Sequence, residues 1–188
     1  MDSFIDIANG YMSDLSRYGI THIVDNRRSG YKSVCYGCED TYFIMGLDES
    51  ADRHLVELII KSRGVNVTEA LCSRYSIAYN DLFYYLSNDD VDKACYRLFV
   101  ILEQILTKMT QDISLDFDQI RLAAKRTSEK TVITEDLKKA DQAWINGDHS
   151  RALDIYAQWD GILSPLQKKR LDSIKTKGIE NDQIDMTI

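Results

Sequence analysis

Apolar residues near the start of the chain recur every three or four positions, a spacing typical of an amphipathic helix. The periodic residues are Phe4, Ile7, Ala8, Tyr11, Met12, Leu15 and Tyr18. Gly19 predicts the end of this helix. The spacing then changes to short runs rich in Ile, Val, Thr, Tyr and Phe over 20–25, 31–36 and 41–46. We predict a three-stranded antiparallel meander there, with helices against one face because so small a sheet is unstable alone.

Beyond the meander, the spacing of apolar residues predicts helices almost without interruption. We expect a helix over 55–60, ended by Gly64, and a longer one over 66–86. A helix over 91–109 is apolar on a wide arc, which predicts that it is the most buried helix of the protein. A weaker helical pattern follows over 115–125.

The last third of the chain carries the most specific pattern, a helix, a tight turn and a second helix. Its defining residues are Leu137, Ala140, Trp144, Gly147, Asp148, Ala152 and Tyr156. The small Ala152 takes the position where the two helices cross, and Asp148 can cap the second helix. This segment resembles a single tetratricopeptide hairpin, a family whose helical pairs hold other proteins. The resemblance implies a scaffold for protein binding, although one hairpin lacks the groove that arrays of such hairpins form.

The chain is predicted to divide near a polar segment, 125–131, that lacks periodicity and has the composition of a linker. We expect an α+β domain over 1–125, with the N-terminal helix, the meander and a helical bundle. The hairpin and a final helix, which begins at a capped Pro165, occupy 132–178. A flexible tail is expected over 179–188. The predicted fold class is therefore α+β, mostly α.

Composition and charge limit the classes of partner. The chain has 188 residues and a formal net charge of −7 at pH 7. Nucleic-acid-binding domains usually carry a basic face, so we expect no nucleic-acid partner. An acidic protein can instead be steered onto a basic protein surface. We also expect no secretory signal, no membrane-spanning segment and reduced cysteines, and hence a cytoplasmic location.

Two short motifs could carry chemistry. Cys35 and Cys38 form a C-x-x-C at the end of a predicted strand, which is half of a zinc site that needs two further ligands. The adjacent Arg27 and Arg28, at a predicted hairpin tip, can grip a phosphate or a carboxylate. Together these residues define an alternative function, a small metal- or ligand-binding protein. Catalytic motifs with a known sequence signature do not occur, so the leading prediction includes no enzyme activity, metal or cofactor.

Tyrosine is frequent, and four of the eleven tyrosines, Tyr75, Tyr79, Tyr84 and Tyr85, crowd one predicted helix. They span more than one helix face, so we predict an exposed tyrosine surface that binds a partner. Trp159 in the hairpin is a further candidate for partner binding. The leading prediction is a non-catalytic protein-interaction module, an inhibitor or adaptor of immunity or anti-defence type from a bacterium or phage. The sequence leaves the partner and the oligomeric state open.

Overall fold

The computed structural model of the protein describes residues 3–49, 54–86 and 90–184, with the backbone alone for Ser3 and for 177–184. The fold is α+β and mostly helical, as predicted. The chain forms two compact units, Met1–Lys125 and Arg126–Ile188, which we describe separately.

One antiparallel sheet of six strands forms the described β-structure of the first unit. The strands are β1 (Thr21–Arg28), β2 (Tyr31–Cys38), β3 (Thr41–Asp48), β4 (Leu55–Ser62), β5 (Val65–Asn66) and β6 (Phe83–Tyr85). Their order is β1-β2-β3-β4-β5, and β6 pairs with the start of β4. The first three strands confirm the predicted meander, and each ends two or three residues later than predicted.

Helices cover one face of this sheet. The α-helices of the first unit are α1 (Ser3–Met12), α2 (Thr68–Tyr75), α3 (Val91–Gln111) and the start of α4 (Phe117–Ile145). The face of the sheet that joins the helices in one core, here the inner face, carries Val34, Tyr36, Phe43, Met45, Leu47, Val56, Leu58 and Ile60, all buried. Seven side chains of α3 are buried in the same core, in agreement with its wide apolar arc. The opposite face of the sheet is called the outer face.

The segment 55–60 is a strand, so the helix predicted there is wrong. Burial alternates along β4, and Val56, Leu58 and Ile60 point into the core. The outer positions of this strand are also partly apolar. In such a continuous apolar run the alternation of buried and exposed positions that identifies a strand cannot be seen in the sequence. Pairing with β3 along all eight residues satisfies the backbone hydrogen bonds of β4 on that side.

The single helix predicted over 66–86 is also wrong, because Asn66 ends strand β5 and residues 68–85 form three further elements. Helix α2 ends at Tyr75, and Ser76 adopts a left-handed conformation with φ 55°. A 3₁₀ turn, Tyr79–Leu82, and strand β6 follow. The left-handed residue ends the helix, and pairing with β4 draws the last three residues into the sheet.

The second unit contains the predicted helical hairpin. It comprises the end of α4, then α5 (His149–Gln158), a 3₁₀ turn (Asp160–Ile162) and α6 (Pro165–Ile184). Gly147 supplies the turn with φ 79°, and the side chain of Asp148 accepts a 3.2 Å hydrogen bond from the amide of Arg151. Ala140 and Ala152 are fully buried in a small core where the helices pack.

Two predictions about polar segments in this region are wrong. The segment 125–131, predicted as a linker, lies in the middle of α4. Its side chains are exposed on every side, so the helix has no apolar stripe to detect. The final helix continues past Gly178 to Ile184, so 179–184 is helical and the rest of the predicted tail lies outside the described residues. A glycine inside a helix costs only about 1 kcal/mol relative to alanine and need not end it.

Candidate functional site

A bulge in the edge strand β1 turns two consecutive apolar side chains toward the outer face. Val24 lies opposite Cys35, and the register shifts at Ile23, which is the extra residue of the bulge. A Cβ built on Gly37 would lie 3.3 Å from Cγ1 of Ile23, so this side chain covers the outer side of that glycine. Ile23 and Val24 are 51% and 53% exposed. Regular alternation would have placed only one of them on this face.

An apolar row crosses four strands next to this bulge. Val24, Cys35, Ile44 and Ile59 lie opposite one another on β1, β2, β3 and β4. The last three are half-buried, and among the described residues neither hydrophobic core includes any of the four. The ring of Tyr42 lies beside Gly37 and extends the row.

We refer to these side chains together as the outer-face patch, which consists of Ile23, Val24, Cys35, Tyr42, Ile44 and Ile59. The patch combines an exposed apolar edge with a half-buried apolar centre. Contiguous apolar surface of this kind usually marks a site of protein interaction. Its β-branched members are already restricted in rotation, so ordering them on binding costs little conformational entropy.

A fixed polar pair lies on the same face, one row away from the apolar row. Tyr31 donates a 3.1 Å hydrogen bond to Oε1 of Glu57 across Gly46. Burial raises the pKa of Glu57, and the hydrogen bond from Tyr31 opposes that shift. Burial and the neighbouring carboxylate of Glu57 also raise the pKa of Tyr31. A Cβ on Gly46 would collide with the Tyr31 hydroxyl, so glycine at this position makes room for the pair.

The structure does not place the four predicted tyrosines on one exposed surface. Tyr75 is buried, whereas Tyr79 and Tyr84 are half-buried and Tyr85 is 60% exposed. Tyr84 and Tyr85 are neighbours on β6 and therefore point to opposite faces of the sheet. Trp159 lies in the second unit, half-buried, and its indole N–H is buried without a hydrogen-bond partner among the described residues. Of these five residues, only Tyr85 presents most of its side chain to solvent.

The two arginines predicted to bind an anion belong to β1 rather than to a loop. Arg27 lies opposite Lys32 and Arg28 opposite Tyr31, and both arginines are exposed. Because they are consecutive in a strand, their side chains leave the sheet on opposite faces. They therefore do not converge on one phosphate or carboxylate as a hairpin tip would allow.

Cys35 and Cys38 are separated in the same way. They are three positions apart in β2, so Cys35 points to the outer face and Cys38 to the side of the core. Burial raises the pKa of the Cys35 thiol, which keeps it protonated at neutral pH. Within the described residues, no group of three or more His, Cys, Asp or Glu side chains could hold a metal ion. The two thiols do not form half of one metal site.

A polar cluster fixes α1 to the edge strand on the inner side of the sheet. Asn9 donates a 3.2 Å hydrogen bond to Oδ1 of Asp25, and Nε2 of His22 lies 2.9 Å from the same oxygen. Tyr36 completes the cluster by donating to Oδ1 of Asn9 at 3.1 Å. Burial raises the pKa of Asp25, but the hydrogen bonds from His22 and Asn9 outweigh it and lower the pKa. The cluster holds the bulged strand that presents the outer-face patch.

No protein-family model, curated protein or solved structure matches this chain. The tetratricopeptide resemblance of the hairpin therefore gains no support from comparison, and the candidate site rests on geometry. In the described part of the chain, no helix is long and apolar enough to cross a membrane.

Sequence reasoning did not find the outer-face patch. The available signal is the pair Ile23-Val24, which interrupts the alternation of β1. A bulge cannot be inferred from that pair alone, because two adjacent apolar residues also occur in strands buried on both faces. The assignment of 55–60 to a helix hid the fourth strand, and with it Ile59, from the pattern.

Proposed function

We propose that the protein is a non-catalytic protein-interaction module, an inhibitor or adaptor, that binds its partner through the outer-face patch. The observation that carries the proposal is the exposed pair Ile23 and Val24 at the edge of an apolar row in register across four strands. When a partner covers apolar side chains that are half-exposed on a sheet, burial of their surface favours the complex by roughly 25 cal/mol per Å² of apolar area.

The size of the outer face supports this proposal. Strands β1 to β4 each have eight residues. With strands about 4.8 Å apart and a rise of about 3.3 Å per residue, they cover a plane of about 500 Å². A stable protein interface buries about 800 Å² of accessible surface per partner. The plane of the sheet is smaller than that area, so the outer face can supply the centre of an interface, with the apolar row in its middle and the pair Tyr31–Glu57 beside it.

The charge of the chain favours a basic partner. A formal net charge of −7 attracts positively charged surfaces over distances of about one Debye length. Such steering raises association rates and selects partners, whereas apolar contacts at the centre of an interface supply most of the affinity. An inhibitor of immunity or anti-defence type, which is acidic and covers a basic active surface, would combine electrostatic steering with apolar contacts at the centre of the interface.

Substitution within the patch tests the proposal. The full chain and a variant with Ile23→Asp and Val24→Asp are purified from the source cell under the same gentle conditions and weighed by native mass spectrometry. We expect the wild type to retain a stoichiometric protein partner and the double variant to lose it. Ile113→Asp is the matched control, because Ile113 is fully exposed elsewhere in the first unit. Equal retention of the partner by all three proteins, with unchanged melting temperatures, would contradict the proposal.

A further inference from the structure

A cavity of about 240 Å³ opens in the first unit, where the turn between β2 and β3 approaches the end of α3. Its apolar walls include Phe43 and Leu106, which are buried, and Leu115, which is half-buried. Polar side chains, among them Glu39 and Thr110, complete the lining. This cavity lies on the core side of the sheet, away from the outer-face patch, so its function is independent of partner binding there.

The volume of the cavity limits the size of an occupant. An apolar cavity of about 150 Å³ is sufficient to bind benzene. Pockets for drug-sized molecules begin at about 300 Å³. At about 240 Å³ the cavity suits a small molecule with one aromatic ring and a short substituent. The ring would contact Phe43 and Leu106.

The charge of the residues that line the cavity indicates which polar group a bound molecule would carry. Among the described residues that line the cavity, only Glu39 is charged, and it is exposed at the turn with φ 51°. Among the described residues its carboxylate takes part in no hydrogen bond or ion pair. Arg17 precedes the lining residue Tyr18 in the chain, pairs with Glu103 and lies over the ring of Tyr18 at 5.2 Å from its centroid. The lining thus offers an unpaired negative charge beside an apolar chamber.

We propose that this cavity binds a small aromatic amine, with the ring between the apolar walls and the protonated amine at Glu39. An ammonium group donates hydrogen bonds to a carboxylate, while the ring replaces water in the apolar part of the cavity. The site takes a small molecule of this class and requires no metal or second protein chain.

Cys38 provides an internal reporter for occupancy, because it lines the cavity and is exposed. Cys35 is the matched control on the outer face of the same strand. Burial raises the pKa of Cys72 to about 11 and that of Cys95 to about 12, so these buried thiols should react slowly. Alkylation by iodoacetamide, followed by peptide mass spectrometry, therefore measures the rates at Cys38 and Cys35 separately.

The probe is 2-phenylethylamine, and 2-phenylethanol is its uncharged counterpart. With the amine at about ten times its Kd, we expect alkylation of Cys38 to slow about tenfold while that of Cys35 is unchanged. The amine should bind about two to five times more tightly than the alcohol, the range expected for one exposed ion pair. Glu39→Gln should abolish this difference while leaving protection by the alcohol intact.

A variant that fills the cavity completes the test. Thr110→Trp places a large side chain at an exposed position that lines the cavity, and Thr107→Trp places one at an exposed position of the same helix outside it. We expect protection of Cys38 by the amine to disappear in the first variant and to persist in the second. Absence of saturable protection in the wild type, equal protection by amine and alcohol, or full protection in Thr110→Trp would each overturn the proposal.

Discussion

The hydroxyl of Tyr156 donates a 2.6 Å hydrogen bond to Oδ1 of Asp141 and so joins α5 to α4 within the second unit. Asp141 also accepts hydrogen bonds from Gln167 at 3.0 Å and from Arg170 at 2.5 Å, both on α6. One carboxylate thus connects the three helices of the unit. Burial and the adjacent Asp141 raise the pKa of Tyr156, so its hydroxyl stays protonated and remains a donor. A small apolar core makes such a polar junction important for the stability of this unit.

Loss of that hydroxyl should weaken the second unit. We expect Tyr156→Phe to lower the free energy of unfolding by about 1.5–3 kcal/mol, because the hydrogen bond that is lost is one to the carboxylate of Asp141. Both tryptophans of the chain, Trp144 and Trp159, lie in this unit, so their fluorescence in urea reports on it selectively. Tyr85→Phe, at an exposed position of the first unit, should change the stability by less than about 0.5 kcal/mol. If Tyr156→Phe unfolds at the same urea concentration as the wild type, the hydrogen bond to Asp141 does not stabilise the second unit as proposed.

The crossing of the hairpin helices should not tolerate a larger residue. Ala152 is fully buried where α5 meets α4, so we expect Ala152→Leu to destabilise the second unit by at least about 1–3 kcal/mol through overpacking. Ala157→Leu, at an exposed position of the same helix, should be close to neutral. The measurement is again tryptophan fluorescence in urea. Equal stabilities of the two variants would show that the helices do not pack through Ala152.

Stability in acid should depend on Asp112. Hydrogen bonds from Arg74 at 2.6 Å and from Ser114 lower the pKa of this carboxyl below its ordinary value of about 3.9. A lowered folded-state pKa contributes stability above about pH 4 that is lost as the pH falls toward the folded pKa. We expect Asp112→Asn to be less stable than the wild type at pH 7, and we expect the difference to be smaller at pH 2. Melting temperatures at the two pH values test this, with Asp14→Asn at an exposed position as the control.

Glu57 should have the opposite dependence on pH. Burial raises its pKa above the ordinary value of about 4.3, so the folded state binds the proton more tightly than the unfolded state. The associated stability is present below about pH 4.3 and is lost as the pH rises through the folded pKa. We therefore expect Glu57→Gln, whose amide oxygen can still accept from Tyr31, to stabilise the protein at pH 7 more than at pH 4. Glu69→Gln, at an exposed position, is the control. An identical effect of Glu57→Gln at both pH values would contradict the burial of this carboxyl.

The elements that were predicted correctly are those with local signals. The hairpin could be read from Gly147 and Asp148, because a turn and a helix cap act over a few residues. The final helix began at Pro165 as expected, where Ser164 and Gln167 exchange hydrogen bonds. The meander was found because its strands alternate with turn residues.

The errors occur where tertiary pairing decides the structure. The segment 55–60 became a strand through pairing with β3, and 83–85 joined the sheet by pairing with β4. Strand β4, with which 83–85 pairs, lies far earlier in the chain, so the local spacing of apolar residues favoured a helix there. The outer-face patch depends on both the bulge at Ile23 and the strand that contains Ile59, and neither feature can be inferred from the local sequence alone.

Hydrogen–deuterium exchange of the protein, alone and in complex with the partner that co-purifies with it, tests the central claim most directly. We predict slower exchange in peptides that cover β1, the edge strand that carries Ile23 and Val24, when the partner is bound. Peptides that cover α5 serve as the internal reference and should exchange at the same rate in both states. Protection confined to the peptides that contain Tyr85 or Trp159, with β1 unchanged, would contradict the assignment of the outer-face patch as the binding surface.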